Sequence, residues 1–324
     1  MPGVDISVAM CTFNGARYLS TQLESIASQD RVPNELVVCD DSSADGSVEI
    51  LEAFARRAPF PTRIWVNKVN LGSTKNFEHA ISLCDGAIVA LADQDDVWYA
   101  HKLERIEKAF LKSERTVAAF SDADLIDDNS RPLSSSLWMS NGFDARKQKQ
   151  FANARSLDVL IRHPVVTGAT LAFRREWFDL MIPIPENEIH DRWMSFLLAA
   201  IGPMEAIPEP LMQYRRHNNQ QVGPGPLTFR EQVHTAKSRK AAFYHDEVQR
   251  FCQLYERLEL RKADFPDGDS VVQELQKKIA HVNHRANLPR THFARVPGLL
   301  REALNGNYWR YSGGWRSVAK DLVI

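Results

Sequence analysis

Asp93, Asp95 and Asp96 crowd the end of an apolar run, Ala87-Ile88-Val89-Ala90-Leu91-Ala92, and three carboxylates so placed can grip a cation. The run is short, rich in Ile, Val, Leu and Ala, and without helical spacing, which predicts a strand buried on both faces. An ionised carboxylate left alone in such an interior costs several kcal/mol. The acids therefore belong at the carboxyl end of the strand, beside solvent or a positive partner. A hard divalent metal suits them, because Mg²⁺ or Mn²⁺ held by one or two carboxylates usually takes its other ligands from a phosphate-bearing substrate. The plainer alternative is an acidic strand-to-helix loop in which Asp95 or Asp96 caps a helix beginning near Ala100.

Other polar stretches close apolar runs in the same way. Thr12-Phe13-Asn14-Gly15 follows Ile6–Cys11, and Asp40-Asp41-Ser42-Ser43-Ala44-Asp45-Gly46-Ser47 follows Glu35–Cys39. Two adjacent acids at a strand end can accept from a ribose hydroxyl or a pyrimidine imide N–H, or can form an ordinary turn. His163–Phe173 reads as a loop and then a strand, with Gly168 allowing close backbone approach to a ligand. Asp191, within Ile189-His190-Asp191-Arg192-Trp193-Met194, opens the apolar helix at Ser195–Ala200, where a carboxylate can act as an N-terminal cap.

Holding these loops together requires a sheet. Strands are predicted at Ile6–Cys11, Glu35–Cys39, Arg63–Val66 and Ala87–Ala92, with helices at Ala16–Ser28, Val48–Arg57 and Phe77–Leu83 between them. That alternation points to βαβ units and a parallel sheet covered on both faces. Ligands on such sheets bind at the carboxyl ends of the strands, where the three polar loops Thr12–Gly15, Asp40–Ser47 and Asn70–Asn76 all fall. No Gly-x-Gly-x-x-Gly follows the first strand and no Gly-Lys-Ser/Thr loop occurs, which excludes the dinucleotide fingerprint and the Walker-type phosphate loop. An Asp-x-Asp is also the nucleophile pair of certain phosphatases, but there it ends the first strand and here the fourth.

With 324 residues and 44% hydrophobic content the chain can bury one large domain with an appendage, or two domains. A net charge of -1 argues against binding nucleic acid by global charge. The charge is uneven: from Gln221 onward 17 Lys+Arg face 11 Asp+Glu, a net of +6, leaving -7 for the rest. Cys11, Cys39, Cys84 and Cys252 occur singly, which fits free thiols in a reducing compartment. No apolar stretch approaches the ~18 residues of a membrane span and no basic region followed by an apolar signal opens the chain. A cytoplasmic location is expected, or a peripheral one on the inner face of the cell membrane.

Taken in order, Cys11-Thr12-Phe13-Asn14-Gly15, Asp40–Ser47 and Asp93-Gln94-Asp95-Asp96-Val97-Trp98 resemble the motifs of family 2 glycosyltransferases of the GT-A fold. The resemblance covers roughly residues 5 to 223 and implies a Rossmann-like α/β domain for nucleotide-diphospho-sugars, with a sheet of mixed direction beyond the first strands. It implies that Thr12, Phe13, Asn14, Asp40, Asp41 and Lys75 hold the nucleotide. Asp93 then touches the ribose or supports the metal, and Asp95 is the better candidate for a direct ligand of Mn²⁺ or Mg²⁺. Thr167 and Gly168 are similar to a Thr-Gly segment near the family's acceptor pocket, with His190 and Trp193 on the same side. Asp191 looks like the aspartate that serves as catalytic base, a role a carboxylate can fill by taking the proton of an attacking sugar hydroxyl. Tyr214–Gly223 resembles the Tyr-Arg-x-His-x-x-Asn-x-x-Gly signature of rhamnosyltransferase-like members. There Arg215 and Arg216 would neutralise the leaving diphosphate and His217 would be a metal ligand. A second Asp-x-Asp, Asp122 and Asp124, resembles a turn after a family strand with no metal role. The polar, weakly periodic segment Leu133–Asn153 reads as a mobile or acceptor-side cover for the site.

These readings divide the chain into a catalytic domain, 1–223, and a helical region, 224–324. Helices are predicted at Thr228–Leu260 and Ser270–Val282, broken at Pro266-Asp267-Gly268, with a stripe of Phe229, Val233, Ala236, Val248, Phe251, Leu254 and Leu258. Residues 277–324 carry nine Lys+Arg against two Asp+Glu, interleaved with aromatic residues, which suits a membrane surface carrying a lipid-linked acceptor, or an ordinary solvated face. The expected activity is inverting, metal-dependent transfer from a nucleoside-diphosphate sugar to a saccharide or lipid-linked acceptor of bacterial surface polysaccharide. By resemblance dTDP-rhamnose is the first donor and a UDP-sugar the second. The rival activities are a metal-dependent sugar-nucleotide phosphohydrolase or nucleotidyltransferase, and a non-catalytic sugar-nucleotide-binding subunit. A homo-oligomer is compatible with either domain.

Overall fold

The runs of Ile, Val, Leu and Ala form strands because both faces of each are covered, so that a continuous apolar segment has no polar side to keep wet. In the computed structural model, residues 3–153, 155–216, 229–289 and 291–323 are described. They begin with β1 (Ile6–Thr12), α1 (Ala16–Ala27), β2 (Glu35–Asp40), α2 (Ser47–Ala55), β3 (Thr62–Val66), α3 (Ser73–Ser82) and β4 (Ile88–Ala92). β1, β2 and β4 are buried along their whole length. β1 lies parallel between β2 and β4, with Thr12 opposite Asp40 and Met10 opposite Ala92. That register brings the carboxyl ends of the three strands to one edge. α1 buries Leu19, Gln22, Leu23 and Ile26, the i, i+3, i+4, i+7 face of an amphipathic helix.

Beyond β4 come β5 (Val97–Trp98), α4 (Lys102–Leu111), β6 (Ala118–Ile126), β7 (Pro132–Ser136), α5 (Leu137–Ser140), α6 (Ala145–Asn153) and α7 (Ser156–Leu160). β8 (Leu171–Arg174), α8 (Phe178–Met181), α9 (His190–Ile201) and β9 (Met204–Arg215) complete the sheet. β8 is antiparallel to both β4 and β6, β6 is parallel to β9, and β5 is antiparallel to β9. The strand order is β3-β2-β1-β4-β8-β6-β9-β5, with β7 on β6. The sheet is thus mixed beyond its first parallel strands, as the resemblance implies.

Several local expectations change. Val97 and Trp98 pair with Gln213 and Met212 instead of leading straight into a helix. α4 accordingly starts at Lys102 with His101 at its cap, and neither Asp95 nor Asp96 is a helix cap. Asp122 and Asp124 lie inside β6. The first accepts from the Trp138 amide at 2.9 Å and the second from the Tyr99 hydroxyl at 2.6 Å. Leu133–Asn153 is no loose cover: Trp138, Phe143 and Phe151 are buried against Phe120 with ring centroids 5.3 to 5.9 Å away. These aromatics are irregularly spaced over two short helices and the turn between them, which is why no period betrays them.

By its contacts the chain forms two units, 1–156 with 164–218, and 157–163 with 219–324. The segment 157–163 groups with the second unit. The second unit contains α10 (Phe229–Arg261), α11 (Gly268–Ala286), α12 (His292–Leu304), α13 (Asn307–Tyr311) and α14 (Trp315–Val323). Phe251, Leu254 and Leu258 of the expected stripe are buried, whereas the side chains of Phe229, Val233 and Ala236 fall outside the described ones. A polar cluster also lies inside this unit. Asp321 accepts from Arg285 Nε at 2.6 Å, Tyr244 Oη at 3.0 Å and Tyr308 Oη at 2.9 Å. Burial pushes the His281 imidazole down to about 4, so it stays neutral against Glu302. The four cysteines are free, three of them buried. Among the described residues no helix is long and apolar enough to cross a membrane.

Candidate active site

The loops leaving β1 and β2 are built from each other. Asp40 is fully buried and accepts from Thr12 Oγ1 at 2.6 Å, Ser43 Oγ at 2.7 Å and the Ser43 amide at 2.8 Å. Asn14, at a φ of 48°, donates its amide to Ser43 Oγ and accepts the Ala44 amide on its side chain at 2.9 Å. Asp41 accepts from the amides of Leu71 at 2.7 Å and Gly72 at 2.9 Å, and so ties down the loop that opens α3. The two carboxylates are brought together as the sequence predicts, but each is engaged in shaping a loop. The Phe13 ring, 43% exposed, is what this edge presents outward.

The acid loop is clamped at both ends. Gln94 pairs with the main chain of Phe13 in both directions, accepting its amide at 2.8 Å and donating to its carbonyl at 3.1 Å. A Cβ at Gly15 would come within 2.1 Å of the Gln94 oxygen, so only glycine permits this approach. On the other side the Arg215 amide donates to Asp96 Oδ1 at 3.0 Å, and Arg215 Nε donates to the Asp95 carbonyl at 2.7 Å. The same guanidinium donates to the Asp127 carbonyl and Ser130 Oγ, both at 3.0 Å, and stacks over Tyr18. Arg215, expected beside a leaving diphosphate, is here a buried guanidinium tied to main-chain carbonyls, and it positions the acids. Arg216 is exposed and donates to Ser140 Oγ at 2.5 Å. His217 lies outside the described residues.

Electrostatics at the loop is unfavourable to the charged forms of Asp93 and Asp96. Burial, and then repulsion from Asp95 and Asp191, pushes Asp93 up to about 7. Burial, and then repulsion from Asp95 and Asp93, raises Asp96 well above the usual carboxylate range, and its Oδ2 has no hydrogen-bond partner among the described residues. Opposite them sits Lys102, buried, donating to the Ala169 carbonyl at 2.8 Å and lying 4.0 Å from the centroid of the Trp98 ring. Burial lowers its ammonium to about 7 against the pull of Asp96 and Asp93. Lys102 is the site residue that the sequence reading misses. Its signal was available: Lys102, Ile106 and Ala109 share the buried face of α4 at i, i+4, i+7.

Asp191 does not act as a side-chain cap of α9; its Oδ2 accepts the Gly168 amide at 3.0 Å. The Thr-Gly and His-Asp segments, far apart in sequence, thereby form one wall, and Asp191 is near enough to help raise Asp93. His190 stacks on Phe77 at 4.2 Å, with no hydrogen-bond partner for either ring nitrogen among the described residues. Its burial lowers its pKa and keeps it neutral. Thr167 accepts from Asn141 at 3.2 Å. Trp193 and Lys75 are both engaged within the fold. Trp193 is buried with its indole N–H donated to the Met181 carbonyl at 2.8 Å, so it packs the wall from behind. Lys75 reaches the Ile184 carbonyl at 2.7 Å and Glu78 at 3.0 Å, and so holds that loop.

Gly168 is the tightest point of the wall. A Cβ there would lie 2.8 Å from His190 Nε2 and 3.3 Å from Asp191 Cβ. Gly168→Ala is therefore expected to push the His-Asp pair out of place and lower turnover about 100-fold, with donor binding retained. Steady-state rates beside donor titrations check this, and an unimpaired rate contradicts the wall's role.

Among the described residues no group of three His, Cys, Asp or Glu side chains forms a ready-made metal cage. The carboxylate oxygens of the acid loop, the raised Asp93 and the orphaned Asp96 oxygen nonetheless fit a hard cation that completes its shell on phosphate. A mixed sheet with polar loops at the carboxyl ends of its parallel strands, an acid loop and an aspartate facing it define a nucleotide-sugar transferase architecture. The chain belongs to the Glycosyl transferase family 2, whose profile matches residues 7–181, and its fold is that of the GT-A glycosyltransferases. It is similar to an uncharacterised glycosyltransferase of Nostoc sp., 29% identical over 221 residues, 65% of each chain. It is also similar to the UDP-Glc:alpha-D-GlcNAc-diphosphoundecaprenol beta-1,3-glucosyltransferase WfgD of Escherichia coli, 28% identical over 126 residues, 39% of this chain and 48% of that one. The matched regions thus span about two thirds of one relative and half of the other. Among solved structures, the mannosyltransferase PcManGT from Pyrobaculum calidifontis, in complex with GDP-Man and Mn²⁺, aligns with a TM-score of 0.54 and 18% identity. That alignment covers 94% of this chain and 76% of the other.

Proposed function

We propose that this protein transfers a sugar, with inversion, from a nucleoside-diphosphate donor to a hydroxyl of a saccharide or lipid-linked acceptor in bacterial surface polysaccharide synthesis. The observation that carries the reading is the convergence of the Asp93 and Asp95 loop on Asp191, close enough that the charges disturb one another. Thr12, Phe13 and Asn14, on loops shaped by Asp40 and Asp41, frame the nucleotide. Asp93 and Asp95, with His217 as a further ligand, would hold Mn²⁺ or Mg²⁺, which supplies positive charge to the departing diphosphate. Arg216, exposed and bonded to Ser140, would neutralise that leaving group. The acceptor oxygen bonds to the anomeric carbon as the carbon–diphosphate bond breaks, and Asp191 takes the acceptor proton. One base on the face opposite the leaving group suffices, and no carboxylate nucleophile is required.

The bond from Gly168 fixes the orientation of the Asp191 carboxylate before the acceptor arrives, and the neutral His190 beside it leaves the base without a competing cation. For the donor, dTDP-rhamnose comes first and UDP-sugars second; the relatives' own names carry UDP-Glc and GDP-Man, so all three bases belong in the test. The purified chain should be thermally stabilised by its donor more strongly with Mn²⁺ than without. It should release nucleoside diphosphate only when acceptor is present. Release of monophosphate, or release independent of acceptor, would identify a hydrolase instead.

A further inference from the structure

α12 is folded inside out. A surface helix normally turns its apolar stripe inward, yet the side that α12 buries carries Arg295 and Glu302 beside Leu299. Its outward side bears Phe293, Val296, Leu300 and Leu304, spaced at i, i+3, i+7 and i+11, with Phe293 92%, Leu300 56% and Leu304 86% exposed. The inversion is stabilised from within: Arg295 donates to the carbonyls of Pro289 and Asp321, and Glu302 accepts from Asn307 and bonds His281. α14 packs against α12, and His292 bonds the Leu322 carbonyl at 2.7 Å, which brings Leu322 to the Phe293 end of the stripe. The exposed face of α14 carries Trp315, Arg316 and Lys320. The acids of this stretch, Glu302 and Asp321, are both buried and paired. Every exposed charge on α12, α13 and α14 is therefore a cation.

We propose that this face of the helical unit docks on an anionic lipid bilayer, with the α12 stripe entering the acyl boundary and Arg316, Lys320 and Arg301 meeting the headgroups. Exposed apolar residues with only cations around them match a negatively charged surface that has an oily layer beneath it. Trp315 suits the same boundary, where an aromatic ring with one polar edge sits at headgroup depth. The helix lies on the bilayer and does not cross it. The inference is independent of which sugar the catalytic unit transfers.

The test is flotation of the full chain with vesicles of phosphatidylcholine alone and of phosphatidylcholine containing phosphatidylglycerol. Binding is expected only with phosphatidylglycerol and should weaken as salt rises. Two variants, Phe293→Ser/Leu300→Ser/Leu304→Ser and Arg316→Glu/Lys320→Glu, should each lower the bound-to-free ratio about tenfold or more. Both remove exposed side chains, so unchanged thermal midpoints keep the comparison valid. Absence of binding to phosphatidylglycerol vesicles overturns the proposal, as does binding that both variants retain. So does a triple-serine variant that changes only the molar mass in light scattering, which would make the stripe a contact between copies of this chain.

Discussion

Asp191→Asn is expected to lower acceptor-dependent turnover about 1,000-fold while donor affinity stays within about twofold, since a positioned general base contributes about 10²–10⁴ in rate. The substitution keeps the size of the side chain, and the amide oxygen can still accept the Gly168 N–H that the carboxylate accepts at 3.0 Å. What it removes is the ability to take a proton. It also removes one of the charges that raise Asp93, so donor binding should not suffer. Rates with saturating donor, set beside donor binding measured by calorimetry, separate the two effects. A variant within a few-fold of the native rate would move the base elsewhere.

Asp95→Asn should act on the other substrate. Replacing a charged oxygen ligand with a neutral amide is expected to abolish the extra stabilisation that Mn²⁺ gives to donor binding and to lower kcat/KM about 1,000-fold. The loop itself should persist, because its attachment to β9 runs through the Asp95 carbonyl and the Asp96 carboxylate. Donor titrations with and without Mn²⁺ check the first part, and a metal response equal to the native one would show that Asp95 is no ligand. The contrast between the two variants is the sharper result: one loses turnover with donor affinity intact, the other loses the donor.

Much of the first unit is legible in the sequence because its signals are local. β1, β2 and β4 are unbroken apolar runs that end in polar loops, and a parallel sheet puts those ends at one edge. What is not legible depends on where a side chain points. Arg215 and Arg216 are adjacent and chemically alike, but β9 turns the first into the acid loop and the second outward. Trp193 follows Asp191 by two positions on a helix, which places it on a different face, against Met181. Asp96 reads as a helix cap until β5 finds its partner in β9, a pairing that no short-range pattern announces. The pairing of Asp191 with Gly168, 23 residues away, also lies beyond any short-range pattern. Lys102 and α12 share one lesson. A charged residue on an apolar face, or an apolar residue on a wet one, violates the periodic rule by which helices are found, and both violations mark places with work to do.

Lys102 also sets a limit for anyone who would redesign this protein for another donor. Its ammonium holds the Ala169 carbonyl, and the amide of the preceding residue, Gly168, holds Asp191. The two-residue stretch Gly168-Ala169 therefore serves as the common datum for the acid loop and for Asp191. An engineer who reshapes the acid loop moves that datum, and the alignment of the acceptor drifts with it. Altered donor scope is best sought at the outer rim around Phe13, where a change leaves the shared reference in place.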